Sequence, residues 1–233
     1  MKVYHALDQL WNGAFPATCV LCHGAGCNGM ALCECCLQDL PWHGGGCRVC
    51  ADPLTQQYSN QLLVCGRCQR SPPAFQQVVA ALSYSTPVDM LVRSYKFDGT
   101  LHLGRLLSDL FLYRCAPPRV DVLLPVPLHD NRLQLRGFNQ SVELGRFLAR
   151  ALNIPLQSDW LSRTRDSVAQ STLLARDRRR SMAGLFIGSS QVAGQKVALV
   201  DDVVTTGSTA NACALALRRA GAASVQVWTI SRA

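Results

Sequence analysis

The segment from Lys196 to Thr209 constrains the fold of this chain more than any other. It reads Lys196-Val-Ala-Leu-Val-Asp201-Asp202-Val-Val-Thr205-Thr206-Gly207-Ser208-Thr209. Residues 197–200 are apolar and valine-rich, bounded by polar neighbours, and predict a strand buried on both faces. Two acids follow, then four hydroxyls grouped around one glycine. Ala210, Cys213, Ala214 and Leu217 next mark one face of a helix that stops near Gly221. A strand, a loop of small residues and a helix N-terminus make an anion cradle from backbone N–H groups, hydroxyls and the helix dipole.

The paired acids refine the ligand. Asp201 and Asp202 would repel a phosphate unless they serve another group, such as sugar hydroxyls or a divalent cation. A phosphorylated sugar carrying Mg²⁺ meets both demands. No Gly-x4-Gly-Lys-Ser/Thr occurs, and no Gly-x-Gly-x-x-Gly follows a predicted strand. The competing reading is a βα turn whose Thr and Ser only cap a helix, but two acids and four hydroxyls exceed what a cap needs. The stretch resembles the phosphoribosyl pyrophosphate (PRPP) motif of type I phosphoribosyltransferases. That resemblance implies Asp201 and Asp202 facing the ribose hydroxyls, with Thr205, Thr206, Gly207, Ser208 and Thr209 around the 5-phosphate. Regulators built on the same fold keep this motif, so it speaks for fold more than for catalysis.

The other strong pattern is cysteine. Of 12 cysteines, Cys115 and Cys213 alone lie outside residues 19–68. Four Cys-x-x-Cys knuckles stand out: Cys19/Cys22, Cys33/Cys36, Cys47/Cys50 and Cys65/Cys68. Two knuckles supply the four thiolates of a tetrahedral zinc site, so four knuckles predict about two structural zinc ions. Sequential pairing is the simplest arrangement, with an interleaved one open as well. Cys27 and Cys35 are spares. Gly24, Gly26, Gly29 and residues 44–46 break any periodicity, leaving metal to supply the folding free energy of a segment with no core of its own. The segment reads either as a zinc-stabilised cap or as a single-stranded nucleic-acid contact. The second reading uses Arg48, Arg67 and Arg70 with Trp42 and Tyr58 for stacking. His43-Gly-Gly-Gly46 reads as a linker between the zinc halves, since no Gly-x-Ser-x-Gly accompanies it.

At 233 residues and 48% hydrophobic, the chain can bury one domain-sized core beside a smaller module. A net charge of +8 suits polyanionic partners, phosphates or nucleic acid, without choosing between them. Asp8, Gln9 and Asn12 interrupt any signal-peptide apolar stretch, and no run approaches a membrane span. The expected location is therefore the cytoplasm without membrane insertion, where cysteines point to metal rather than disulfides.

After Ser71-Pro72-Pro73, residues 78–84 predict a strand and 87–97 a short helix. Leu103, Leu106, Leu107, Leu110 and Phe111 mark an amphipathic helix closed by Pro117-Pro118, followed by a strand over 120–126. A loop carrying Arg132, Arg136 and Gly137 then leads into a helix faced by Val142, Gly145, Leu148 and Leu152. This is a second candidate anion site, or else a solvated connection.

Cysteine knuckles, Tyr95-Lys96-Phe97-Asp-Gly99, Pro125-Val-Pro-Leu128, Arg136-Gly-Phe-Asn-Gln140 and the PRPP motif occur in this order along nearly the whole chain. In this order they resemble the competence protein F (ComF) family. The resemblance implies a role in uptake or utilization of external DNA, in competence or as nutrient, with DNA-uptake proteins at the inner membrane as partners. It implies an α/β fold, a type I phosphoribosyltransferase-like parallel sheet with helices on both faces, preceded by a small double zinc-ribbon module. The expected division is 1–72 for the ribbons and 73–233 for the phosphoribosyltransferase-like domain. Residues 132–137 would form the pyrophosphate loop, with Lys96 as a further cation, so Lys96, Arg132 and Arg136 are the groups expected to assist catalysis. Segment 163–186 resembles the family's flap at Arg163, Gln170, Arg178, Arg180 and Gly184, and departs at Ser181, usually Asn. Arg176, Arg178, Arg179 and Arg180 form either part of that flap or a solvated helix face. The expected ligand is PRPP with Mg²⁺. The activity is either phosphoribosyl transfer with pyrophosphate release, or non-catalytic binding of single-stranded DNA with PRPP as a sensed ligand.

Overall fold

The computed structural model describes residues 17–54, 63–97, 99–164 and 184–233. Expectations resting on Asp8, Gln9, Asn12, Tyr58, Gln170, Arg176, Arg178, Arg179, Arg180 and Ser181 lie outside the described residues. The first part of the chain carries α1 (Glu34–Gln38), α2 (Gly66–Arg70), β1 (Val78–Ser83), α3 (Val88–Phe97), α4 (Leu101–Arg114) and β2 (Val122–Pro125). Then come α5 (Asp130–Arg136), α6 (Gln140–Leu152), β3 (Leu161–Arg163), β4 (Phe186–Gly188), β5 (Lys196–Val204), α7 (Ser208–Arg219) and β6 (Ser224–Arg232).

Four strands form one parallel sheet in the order β1-β6-β5-β2. Parallel neighbours need crossover connections, and the crossover helices cover both faces of the sheet. Alternation along β5 divides its side chains. Ala198 and Val200 join Trp228 and Ile230 in a core with α3, α4 and α6. Val197 and Leu199 join Val225 and Val227 against α7. The antiparallel pair β3-β4 lies outside the main sheet.

Three local expectations shift. The strand expected over 120–126 is Val122–Pro125, whereas β5 runs on to Val204, so Asp201 and Asp202 sit inside the strand rather than after it. Residues 132–137, expected as a loop, belong mostly to helix α5. His129 caps that helix by accepting from the Asn131 amide, and it closes at Gly137 with φ 75°. On α6 the buried residues include Ser141, Leu144, Gly145 and Leu148, with Val142 and Leu152 half-buried.

The cysteine segment does find a core, by sharing the domain's. Met30, Leu32, Leu37 and Leu40 are buried in the same cluster as Leu91, Tyr95 and Leu107. Each buried leucine of this kind contributes roughly 1.5–3 kcal/mol. The ribbon backbone also pairs with β1, through His43 N–H to Ala81 O (2.9 Å) and Ser83 N–H to Pro41 O (2.8 Å). An otherwise open sheet edge is thereby covered. Trp42 is occupied as well. Its indole N–H donates to Leu37 O at 3.1 Å and its ring lies 5.7 Å from Tyr113. It is packed against the protein rather than presented for base stacking.

Candidate functional site

The candidate phosphate loop is built where β5 hands over to α7. Gly207 takes φ 74°, a left-handed conformation that glycine adopts without strain, and α7 begins at the next residue. Thr206 Oγ1 lies 2.8 Å from Ser208 Oγ and accepts from the Ser208 amide at 3.3 Å. These groups and the first turn of α7 surround a cavity of about 50 Å³ lined by Asp201 and residues 203–210. It has room for one small anion, since a water's share of liquid volume is about 30 Å³. A much larger cavity, about 780 Å³, lies away from this loop. It runs between Thr18, Val20, Leu21 and His23 of the first ribbon and Met90, Phe97 and Leu103.

Asp201 and Asp202 each meet a partner distant in sequence. Lys96 Nζ on α3 lies 3.0 Å from Asp202 Oδ2. Ser141 Oγ, in the first turn of α6, donates to Asp201 Oδ1 at 3.3 Å, and the Asp202 amide donates to the same oxygen at 3.0 Å. Burial, then the charge of Asp202, push the Asp201 carboxyl up to about 7, while the Asp202 amide, Lys96 and Ser141 pull it back. Neither Ser141 nor its role was visible in the sequence, because its partner is sixty residues away in the chain.

Arg136 sits nearby. Its guanidinium stacks 4.9 Å from the Phe97 ring centroid and donates to Gln140 Oε1 at 3.1 Å. Tyr95 OH donates to the Gln140 carbonyl at 3.0 Å, tying α3 to the start of α6. Gly104 leaves the space for that tyrosine, since a Cβ there would meet its ring at 2.9 Å. Arg132 is exposed on α5. The fold thus brings Lys96 to the acids, holds Arg136 beside Lys96's neighbour Phe97, and leaves Arg132 on the surface.

The eight knuckle cysteines form two groups, paired sequentially: Cys19, Cys22, Cys33 and Cys36, then Cys47, Cys50, Cys65 and Cys68. Within each group the ligand atoms lie within 4.8 Å of one another. Cys22 and Cys33 sulfurs are 3.5 Å apart, and Cys50 and Cys65 sulfurs 3.6 Å. Tetrahedral zinc with bonds near 2.3 Å requires about 3.8 Å, so the clusters fit that ion. Burial opposes ionisation of Cys19 and Cys47. Backbone amides, chiefly of Cys33 and Cys22 for the first and Cys65 and Cys50 for the second, outweigh it and bring both thiols to about 6. Cys27 and Cys35 stay outside both groups.

Together these features define a double zinc ribbon joined to a phosphoribosyltransferase-type sheet. The family model described as "Double zinc ribbon domain" matches residues 10–69, and "Phosphoribosyl transferase domain" matches 139–232. The chain belongs to the ComF family. The DNA utilization protein YhgH of Escherichia coli O157:H7 is 36% identical over 225 residues, 93% of this chain and 97% of the relative. Competence protein F of Haemophilus influenzae is 30% identical over 233 residues, 94% and 98% of the two chains. Among solved structures, a purine phosphoribosyltransferase from Pyrococcus horikoshii aligns over 67% of this chain and 87% of its own. Its identity is 16% and its TM-score 0.31, a likeness too distant to argue from. Among the described residues, no helix is long and apolar enough to cross a membrane.

Proposed function

We propose that this chain binds PRPP with Mg²⁺ and acts in the cytoplasm in the uptake or utilization of external DNA. The observation that carries the reading is the strand–loop–helix cradle lined by Asp201, with Asp202 next to it in β5 and held by Lys96. In this reading Asp201 and Asp202 accept from the ribose hydroxyls. Thr205, Thr206, Ser208 and Thr209 offer hydroxyls, and with Gly207 they supply backbone amides to the 5-phosphate at the positive end of α7. The ribbons occupy 1–72 and the ligand-binding domain 73–233, with zinc held by the two cysteine groups. The relatives' names speak of DNA utilization and competence, and the partners proposed with that role are DNA-uptake proteins at the inner membrane.

The same geometry supports phosphoribosyl transfer as the activity. The bond between ribose C1 and the pyrophosphate oxygen breaks as an acceptor bonds to C1, through an oxocarbenium-like transition state. Mg²⁺ supplies charge neutralisation on the pyrophosphate when bound. Lys96 and Arg136 neutralise the leaving group from the protein side, and Arg132, exposed on α5, is the third cation expected to assist. Purified protein screened for pyrophosphate release with a panel of nucleobases tests this step, and release above the acceptor-free rate is the expected result.

The second reading is a non-catalytic binder of single-stranded DNA. It is favoured by Arg48 and Arg70, both exposed on the second ribbon. Mg²⁺–PRPP binding without turnover, together with oligonucleotide binding, would select it.

A further inference from the structure

The ribbons make unequal contacts with the rest of the molecule. The first is packed into the hydrophobic core. The second packs Ala51 and Val49 into the other cluster, beside Phe75 and Val204, and is hydrogen-bonded to the start of the loop by one buried side chain, Arg232 at the end of β6, which is 3% exposed. Its Nε donates to Cys50 O at 2.9 Å, its Nη1 to Val204 O at 3.2 Å, and its Nη2 pairs with Asp52 Oδ1 at 2.6 Å. Cys50 belongs to the second cysteine group. Val204 is the last residue of β5, and Thr205 of the phosphate loop follows it. A planar guanidinium with forked donors fixes the three acceptors in one geometry, which a lysine ammonium cannot reproduce.

Both ends of this bridge are set by their own surroundings. On the ribbon side, Cys47 N–H donates to Asp52 O at 2.9 Å and Ala51 N–H to Cys47 O at 2.8 Å. The knuckle that presents Cys50 O and Asp52 is therefore shaped by the residues that would ligate metal. On the loop side, Val204 O also accepts from the Ala233 amide at 3.0 Å. A second route runs in parallel. Ala74 N–H donates to Asn211 Oδ1 on α7 at 2.7 Å, and Val78 N–H to Val49 O at 2.8 Å.

We infer that Arg232 is a positioning residue through which the second zinc ribbon fixes the start of the phosphate loop, so that metal in the second ribbon and anion binding at residues 205–209 stabilise each other. The ligand half of this inference rests on the PRPP reading above. The bridge itself does not. Linkage makes the coupling reciprocal, and couplings of this kind run about 5- to 150-fold.

Hydrogen exchange read by peptide mass spectrometry on the full zinc-loaded chain tests it in two arms. Without ligand, Arg232→Lys should speed exchange at residues 205–208 and 48–52 and leave 18–22 unchanged. Asp52→Asn, which alters a partly exposed side chain, serves if Arg232→Lys fails to fold. With saturating Mg²⁺–PRPP, the parent should gain protection at 48–52 but not at 18–22, and Arg232→Lys should bind about tenfold more weakly by calorimetry, within that coupling range. Unchanged exchange at 205–208 in the ligand-free variants overturns the inference. So does equal protection of both ribbons by ligand. A parent chain that shows no calorimetric binding of Mg²⁺–PRPP overturns the PRPP reading instead, and the ligand-free arm then decides the bridge alone.

Discussion

Lys96 Nζ lies 3.0 Å from Asp202 Oδ2, joining the end of α3 to the mouth of the phosphate loop across more than a hundred residues of sequence. The pair gives Asp202, only 6% exposed, the counter-ion that a buried carboxylate requires. In the PRPP reading it also sets a cation beside the place where a pyrophosphate would leave.

In the PRPP reading, replacing Asp202 by Asn removes a charge that faces ribose. Mg²⁺–PRPP binding should weaken by roughly 1–3 kcal/mol, the range for losing a charged hydrogen bond or leaving its partner unpaired. Calorimetry on the Asp201→Asn/Asp202→Asn double variant is the stricter check. Unchanged affinity there would remove the assigned pocket.

Asp201 carries a pH signature. Its carboxyl is raised from an ordinary 3.8 to about 7, first by burial and next by the charge of Asp202. A carboxyl raised in the folded state favours the protein most below pH 4, and that advantage is lost as pH rises towards 7. The loss is at most about 4 kcal/mol. Ligand-free Asp201→Asn should therefore melt higher than the parent at pH 8 and about equally at pH 4. Mg²⁺–PRPP affinity should fall as pH drops through about 7, because the protonated acid no longer accepts from hydroxyls as a carboxylate does. A flat affinity profile between pH 6 and 8 would show that Asp201 does not touch the ligand.

Metal analysis should return about two zinc ions per chain. Because Leu32, Leu37 and Leu40 share a core with Leu107 and Tyr95, chelation should lower the melting temperature of the whole chain. Independent unfolding of the ribbons, or iron in place of zinc, would contradict this arrangement.

The proposed contact with single-stranded DNA narrows to two of the three ribbon arginines. Arg67 donates to Cys50 Sγ at 3.5 Å and lies 3.8 Å from Asp52, which leaves Arg48 and Arg70 for phosphates. Log affinity for single strands should fall with log salt at about −0.7 per contact, so two contacts give roughly −1.4. Arg48→Ala/Arg70→Ala should flatten that slope and leave Mg²⁺–PRPP binding intact. A double variant that binds oligonucleotide as the parent does makes the ribbon a structural cap.

The sequence alone determined the features that depend on local order. The strand at 197–200 and the hydroxyl loop were legible because buried parallel strands and helix N-termini leave local signatures in residue type and spacing. The cysteine knuckles were legible for a similar reason, since two intervening residues let both thiolates reach one ion. Tertiary structure decided what meets at long range: Ser141 on Asp201, Lys96 on Asp202, Arg232 between Cys50 and Val204, and sequential pairing of the knuckles. It also turned the expected pyrophosphate loop into helix α5 and packed Trp42 against Tyr113. The contacts Ser141–Asp201, Lys96–Asp202 and Arg232–Cys50 join segments sixty to nearly two hundred residues apart, and no spacing rule encodes a partner whose position is set only when the sheet assembles and both of its faces are buried.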